Sequence, residues 1–271
     1  MPLKLSANLN MLFKEAGSLV ERFQAAKTAG FSAVEVSFPY EFSVEKVASA
    51  KKEADVDIVL INGHPGKGWE PAKMPTCDMG IAAIPHRVSE FSEKLELSIK
   101  YAKALGCPRI HIMSGCRPAR IIDTGMEDCY IENLTLAADR LQQEGIMCLI
   151  EPINPYSIPT YFMNSPSHAL KIIKKINHPN LKMQLDLYHL QMIEGCLTKR
   201  IDEYLPYTGH IQIAQAPDRH EPDTYGEVNY KYVVEHLEKA GYDGYVGLEY
   251  VPKGNTVDGL KWINEMGLSL K

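Results

Sequence analysis

Short apolar runs alternate with stretches of helical spacing along the whole chain, and no linker or shift in composition separates them. Residues 3–9, 33–38, 57–61, 109–113, 147–151, 181–186, 209–214 and 245–249 read as strands. Helical spacing occupies 18–29, 43–54, 86–105, 127–143, 165–176, 190–195, 199–204, 229–240 and 256–266. Local chemistry supports these boundaries. Ser43 stands where an N-cap is needed, Ser165-Pro166 supplies an N-cap and a first-turn proline, and Gly30, Gly106 and Gly241 follow helix ends. The polar, Gly- and Pro-rich segment 62–84 is too long for a connector and is expected to form an active-site lid, with Trp69 excluding water.

Eight strand–helix units imply a parallel sheet with helical crossovers. Eight units in about 250 residues fit a closed barrel better than an open doubly wound sheet. The expected fold is therefore α/β, a single (β/α)8 TIM barrel domain over residues 1–271. No Gly-x-Gly-x-x-Gly follows the first strand, and Gly66-Lys67-Gly68 lacks the rest of a phosphate-binding loop.

Composition narrows the partners. Hydrophobic residues at 45% and charged residues at 23% suit a globular protein. A net charge of -5 without a basic stripe argues against nucleic acid. No apolar run is long enough to span a membrane, and the start lacks the apolar core of a signal peptide, so a cytoplasmic location is expected. The six scattered cysteines form no Cys-x-x-Cys and are expected to be small buried hydrophobes. A homo-oligomer built through the barrel ends and the loop near Cys77 is compatible with this sequence.

The candidate chemistry sits at strand ends. The fifth, sixth and eighth apolar runs deliver Glu151, Asp186 and Glu249, and the seventh delivers Gln212. Buried carboxylates cost several kcal/mol unless compensated, and three converging at one barrel mouth would repel one another. They imply a shared cation. Two Glu, one Asp and an amide form an all-oxygen set that suits a hard ion, magnesium first and manganese second, rather than zinc. His189, three residues after Asp186, stands within reach of whatever the ion holds. Arg219, on the loop after the seventh strand, offers a bidentate fork to an anionic substrate. His210 is assigned to the strand wall on the argument that adjacent strand residues face opposite ways. His64, Lys67, Arg117 and Arg120 are weaker loop candidates.

These residues lie in segments that resemble the hydroxypyruvate isomerase family, within the xylose-isomerase-like barrels. The resemblance runs over almost the full length. It is densest in Leu149-Ile150-Glu151-Pro152-Ile153-Asn154, Asp186-Leu187-Tyr188-His189-Leu190-Gln191, Gly209-His210-Ile211-Gln212-Ile213-Ala214 and Gly247-Leu248-Glu249-Tyr250. It implies that Glu151, Asp186, Gln212 and Glu249 bind the metal and that Glu151 and Glu249 are the proton-transfer pair. It also implies interconversion of hydroxypyruvate with 2-hydroxy-3-oxopropanoate through an enediolate, the substrate being a small anionic hydroxy-oxo acid.

Alternatives on the same scaffold are a 2-oxo-tetronate isomerase, a ketose 3-epimerase and a non-catalytic sugar-acid-binding barrel. Ser157 stands where related epimerases carry a sugar-binding Glu, which lowers the epimerase reading. His220 stands beside Arg219 where the family often has Gly, which bears on that loop's conformation. A metal-dependent endonuclease would need more histidine ligands and a basic face.

Overall fold

Strands buried on both faces explain the near-continuous apolar runs. The computed structural model describes residues 3–75, 78–117 and 125–270. Its strands are β1 (Lys4–Asn8), β2 (Ala33–Val36), β3 (Asp57–Asn62), β4 (Arg109–His111), β5 (Met147–Ile150), β6 (Leu181–Asp186), β7 (Thr208–Ile213) and β8 (Tyr245–Leu248). Each pairs in parallel with the next, and β8 returns to β1, closing the expected barrel.

The crossovers that parallel pairing requires are α1 (Leu19–Thr28), α2 (Val44–Ala54), α3 (Val88–Leu105), α4 (Met126–Gln143) and α5 (Pro166–Ile176). They continue with α6 (Leu187–Ile193), α7 (Leu197–Tyr204) and α8 (Tyr230–Lys239), and α9 (Lys261–Glu265) follows the last strand. Ser43 and Ser165 accept backbone N–H bonds from Lys46 and His168 at 3.3 Å, as the N-cap reading requires. Gly106 ends α3 in the left-handed conformation at φ 64°. Among the described residues, no helix is long and apolar enough to cross a membrane. Cys77 and Arg120 lie outside the described residues.

Three differences from the sequence expectation have physical causes. The helix expected from residue 190 begins at Leu187, because Asp186 ends β6 and also caps the Tyr188 N–H at 2.8 Å. The last helix begins late. Thr256 is pinned by Glu15 and by the Phe13 N–H, so an α-helix starts only at Lys261, after a 3-10 turn over Asp258–Leu260. His210 is not turned away from Gln212. The two are two positions apart, face the same way, and both reach Glu35 inside the barrel.

Candidate active site

Each proposed site residue arrives at the C-terminal rim of the barrel, where βα loops assemble chemistry in this fold. Glu151 follows β5, Asp186 ends β6, Gln212 lies in β7 and Glu249 follows β8. Register places Asp186 beside Gln212, and Gln212 beside Gly247. Ligand atoms of Glu151, Asp186 and His189 all lie within 4.8 Å of one another. Arg219 joins Glu249 to the group: its Nη2 donates to Glu249 Oε2 at 2.6 Å and to Asp186 Oδ2 at 3.3 Å. Its guanidinium also covers the Tyr188 ring at 4.9 Å.

Arg219 sits in a wired loop. The buried Gln215 amide donates to the carbonyls of Pro222, Thr224 and Val228 and accepts from the N–H groups of Ala216 and Val228. Arg219 itself is left-handed at φ 59°. The Val251 N–H donates to its carbonyl, and His220 Nδ1 meets the Val251 carbonyl at 2.8 Å. The bulky His220 therefore fastens this loop to the segment after β8.

Hydrogen bonding sets the role of His189. The Asn154 backbone N–H can only donate, and it donates to His189 Nδ1 at 3.3 Å. The Asn154 side-chain oxygen is taken by the N–H groups of Tyr156 and Ser157, so its amide nitrogen also faces Nδ1, at 2.6 Å. Nδ1 is thus an acceptor, and in the neutral ring Nε2 carries the hydrogen. Burial, followed by Arg219 and His111, holds the ring far below the usual histidine pKa, so it is neutral. The Nε2–H lies 3.8 Å from Glu151 Oε1 and 3.5 Å from Asp186 Oδ2. A nitrogen that carries a hydrogen donates to oxygen. It does not ligate an ion.

Gln212 is fixed at both ends of its amide. Nε2 donates to Glu35 Oε2 at 2.8 Å, and Oε1 accepts from Gln184 Nε2 at 2.6 Å, leaving the oxygen's second lone pair. Glu249 Oε1 accepts from Asn8 Nδ2 at 3.2 Å.

The electrostatics favour an incoming positive charge. Glu151 is held well above the ordinary carboxylate range by burial, then by the charges of Glu249 and Asp186. Burial raises Asp186 and lifts Glu249 to about 8, although Arg219 opposes both shifts. Burial works against the Arg219 charge, and Glu249, Asp186 and Glu151 outweigh it, raising its pKa. Three carboxylates therefore face one guanidinium.

A cavity of about 530 Å³ opens above this floor, and Glu151, His189, Arg219 and Glu249 line it. Asp186 and Gln212 do not line it. Trp69, Pro71, Met74, Pro75 and Met79 of the 62–84 segment form its outer wall, with Trp69 against Phe38 at 5.2 Å. The segment is tied down where Arg87 pairs with Asp78 and Glu90, which also accept from the Gly68 and Lys67 N–H groups. Ser157 also lines the cavity.

The weaker candidates fall elsewhere. His64 accepts from the Gly66 N–H and packs on Tyr40, Lys67 pairs with Glu93, and Arg117 covers the Phe162 ring; none lines the cavity.

Sequence reasoning missed His111 and Glu35. His111 is fully buried, lines the cavity, and places Nδ1 3.2 Å from Glu151 Oε2, with neither ring nitrogen in hydrogen-bond geometry. Burial pushes its pKa down to about 3. Glu35 lies inside β2 at 1% exposure. Both residues lie inside the expected apolar runs 33–38 and 109–113, where alternation cannot tell a barrel interior from an outer face.

A family model, xylose isomerase-like TIM barrel, matches residues 23–266. A Homo sapiens protein named "Putative hydroxypyruvate isomerase" is 46% identical over 267 residues, covering 97% of this chain and 94% of that one. This chain belongs to the hydroxypyruvate isomerase family of xylose isomerase-like TIM barrels. A member of that family is an isomerase. A Cupriavidus necator relative named 2-oxo-tetronate isomerase is 38% identical, covering 96% of this chain and 97% of its own. A crystal structure titled AP endonuclease, family 2, from Brucella melitensis superposes with a TM-score of 0.90 at 41% identity, covering 98% of this chain and 99% of that one.

Proposed function

We propose that this isomerase is divalent-cation-dependent and interconverts hydroxypyruvate and 2-hydroxy-3-oxopropanoate by proton transfer between adjacent carbons. One observation carries the reading: Glu151, Asp186 and Glu249 converge under a cavity with Arg219 as their cationic partner, burial raises all three, and neighbouring carboxylates push Glu151 and Glu249 further up. A divalent ion balances the remaining negative charge, and the oxygen donors suit magnesium or manganese. Glu151, Asp186, Glu249 and the Gln212 oxygen would hold it. When bound, it supplies Lewis-acid polarisation of the substrate carbonyl.

The protein's own groups do the rest. One of Glu151 and Glu249 takes the proton from C3 of hydroxypyruvate, and the other returns a proton at C2, while the hydroxyl proton passes from O3 to O2. Such general acid–base transfer is worth typically about 10²- to 10⁴-fold. The His189 Nε2–H donates to a substrate oxygen, and Arg219 holds the anionic end. Trp69 and its neighbours shield the enediolate from water.

The Cupriavidus relative's name favours 2-oxo-tetronate, one carbon longer, as a second substrate, and a 530 Å³ cavity holds either acid. DNA cleavage fits poorly. The net charge is -5, and of the two histidines beside the carboxylates, His111 and His189, the latter presents an N–H rather than a lone pair.

The test is turnover of hydroxypyruvate, 2-oxo-tetronate and ketoses in D2O, before and after chelation and with metal restored. Solvent deuterium in the product and reversible loss with chelator are expected. Deuterium-free product, or full activity without metal, refutes the mechanism.

A further inference from the structure

Beneath the ligand set lies a carboxylate with no place in the reaction above. Glu35 Oε1 accepts from Ser6 Oγ at 3.0 Å and meets His210 Nε2 at 2.6 Å. Glu35 Oε2 accepts from Gln212 Nε2 at 2.8 Å and from Asn8 Nδ2 at 3.3 Å. The barrel makes room for it: a Cβ at Gly247, the β8 neighbour of Gln212, would overlap the Glu35 carboxylate.

These contacts orient amides. A carboxylate only accepts, so Glu35 obliges Gln212 to face it with its NH2 group, turning Oε1 away. It does the same to Asn8, whose Oδ1 meanwhile accepts from the Asn10 N–H at 3.0 Å. The Asn8 NH2 group then reaches Glu249 Oε1. Without an acceptor at 35, only Gln184 would hold the Gln212 amide, and Gln184, whose own Oε1 has no partner among the described residues, could turn with it; an NH2 group then turned outward cannot bind a cation.

We propose that Glu35 is a positioning residue for the cation site, fixing the Gln212 amide directly and the Glu249 carboxylate through Asn8, so that each presents oxygen to the ion. This rests on the metal-site reading above. Partners of this kind typically change metal affinity about 10- to 100-fold when removed.

The test is Mn²⁺ titration of the purified full chain, following free Mn²⁺ by electron paramagnetic resonance, with folding checked by circular dichroism and thermal melting. Glu35→Gln is expected to weaken Mn²⁺ binding about 10- to 100-fold in a folded protein. Glu35→Asp keeps the acceptor but draws it back by one methylene. It is expected to lose less, under about 10-fold, and it carries the comparison if Glu35→Gln does not fold. A folded Glu35→Gln protein with lowered Tm but wild-type Mn²⁺ affinity overturns the inference while the metal site stands, as does unchanged affinity in Glu35→Asp. A wild type that takes no Mn²⁺ overturns the metal-site reading and this inference with it.

Discussion

Raising the pH of the metal-free protein should destabilise it, because its site carboxylates prefer protons. Glu249 moves from the ordinary 4.5 to about 8 on folding, mainly through burial and the negative charges around it. The folded state therefore holds a proton that the unfolded chain releases near 4.5, and stability falls as pH rises from about 4.5 through 8. At about 1.4 kcal/mol per unit, the full shift is worth roughly 5 kcal/mol. Glu151 shifts in the same direction. Even a fraction of the Glu249 effect, on the order of 1 to 2 kcal/mol, lowers Tm by several degrees in a domain of this size. The assay is thermal melting in chelator between pH 5.5 and 8.5. Tm should decline across that range, the slope should shrink in Glu249→Gln, and Mg²⁺ or Mn²⁺ should restore stability most at the alkaline end. A Tm that holds flat or rises with pH in chelator refutes the electrostatic reasoning.

Three other outcomes follow from the same contacts. Glu151→Gln and Glu249→Gln should each lower kcat by at least about 10²-fold while the circular dichroism spectrum is preserved, and a variant with near wild-type kcat would leave the proton-transfer pair. Arg219→Lys keeps the charge but loses the planar guanidinium, whose Nη2 bridges Glu249 and Asp186 while Nε reaches the Glu249 carbonyl. A rise in KM for the acid, with kcat/KM down about 10- to 100-fold, is expected, and unchanged kinetics would remove Arg219 from substrate binding. Gly247→Ala drives a methyl into the Glu35 carboxylate and should cost about 1 to 3 kcal/mol by urea denaturation, whereas a neutral result would mean that β8 has slack there.

The barrel was legible because every strand carries an apolar run and most helices carry caps that chemistry recognises, as at Ser43, Ser165 and Gly106. Strand-end carboxylates were legible for a related reason. A charge that closes an apolar run, like Glu151 after Ile150, has no packing explanation. Charges inside a run are harder to read. Glu35 within Ala33–Val36 looks like the solvent face of an alternating strand, and only closure of the barrel shows that all four residues are buried. His111 is hidden in the same way within β4. The direction of an amide is also invisible in sequence: Gln212 could be named, but which end it presents depends on Glu35 and Gln184 across the barrel. Cap chemistry misled once. In sequence Asp186 reads as a charge, whereas its bond to the Tyr188 N–H, which starts α6 early, is a feature of the folded chain.

Anomalous diffraction from a crystal grown with Mn²⁺ tests the central claim most directly. The account predicts one strong peak at the rim of the barrel, bounded by oxygens of Glu151, Asp186, Gln212 and Glu249, with the His189 ring outside the coordination sphere. A peak ligated by His189 Nε2 in place of Gln212, a peak elsewhere in the molecule, or none at saturating Mn²⁺ would contradict it.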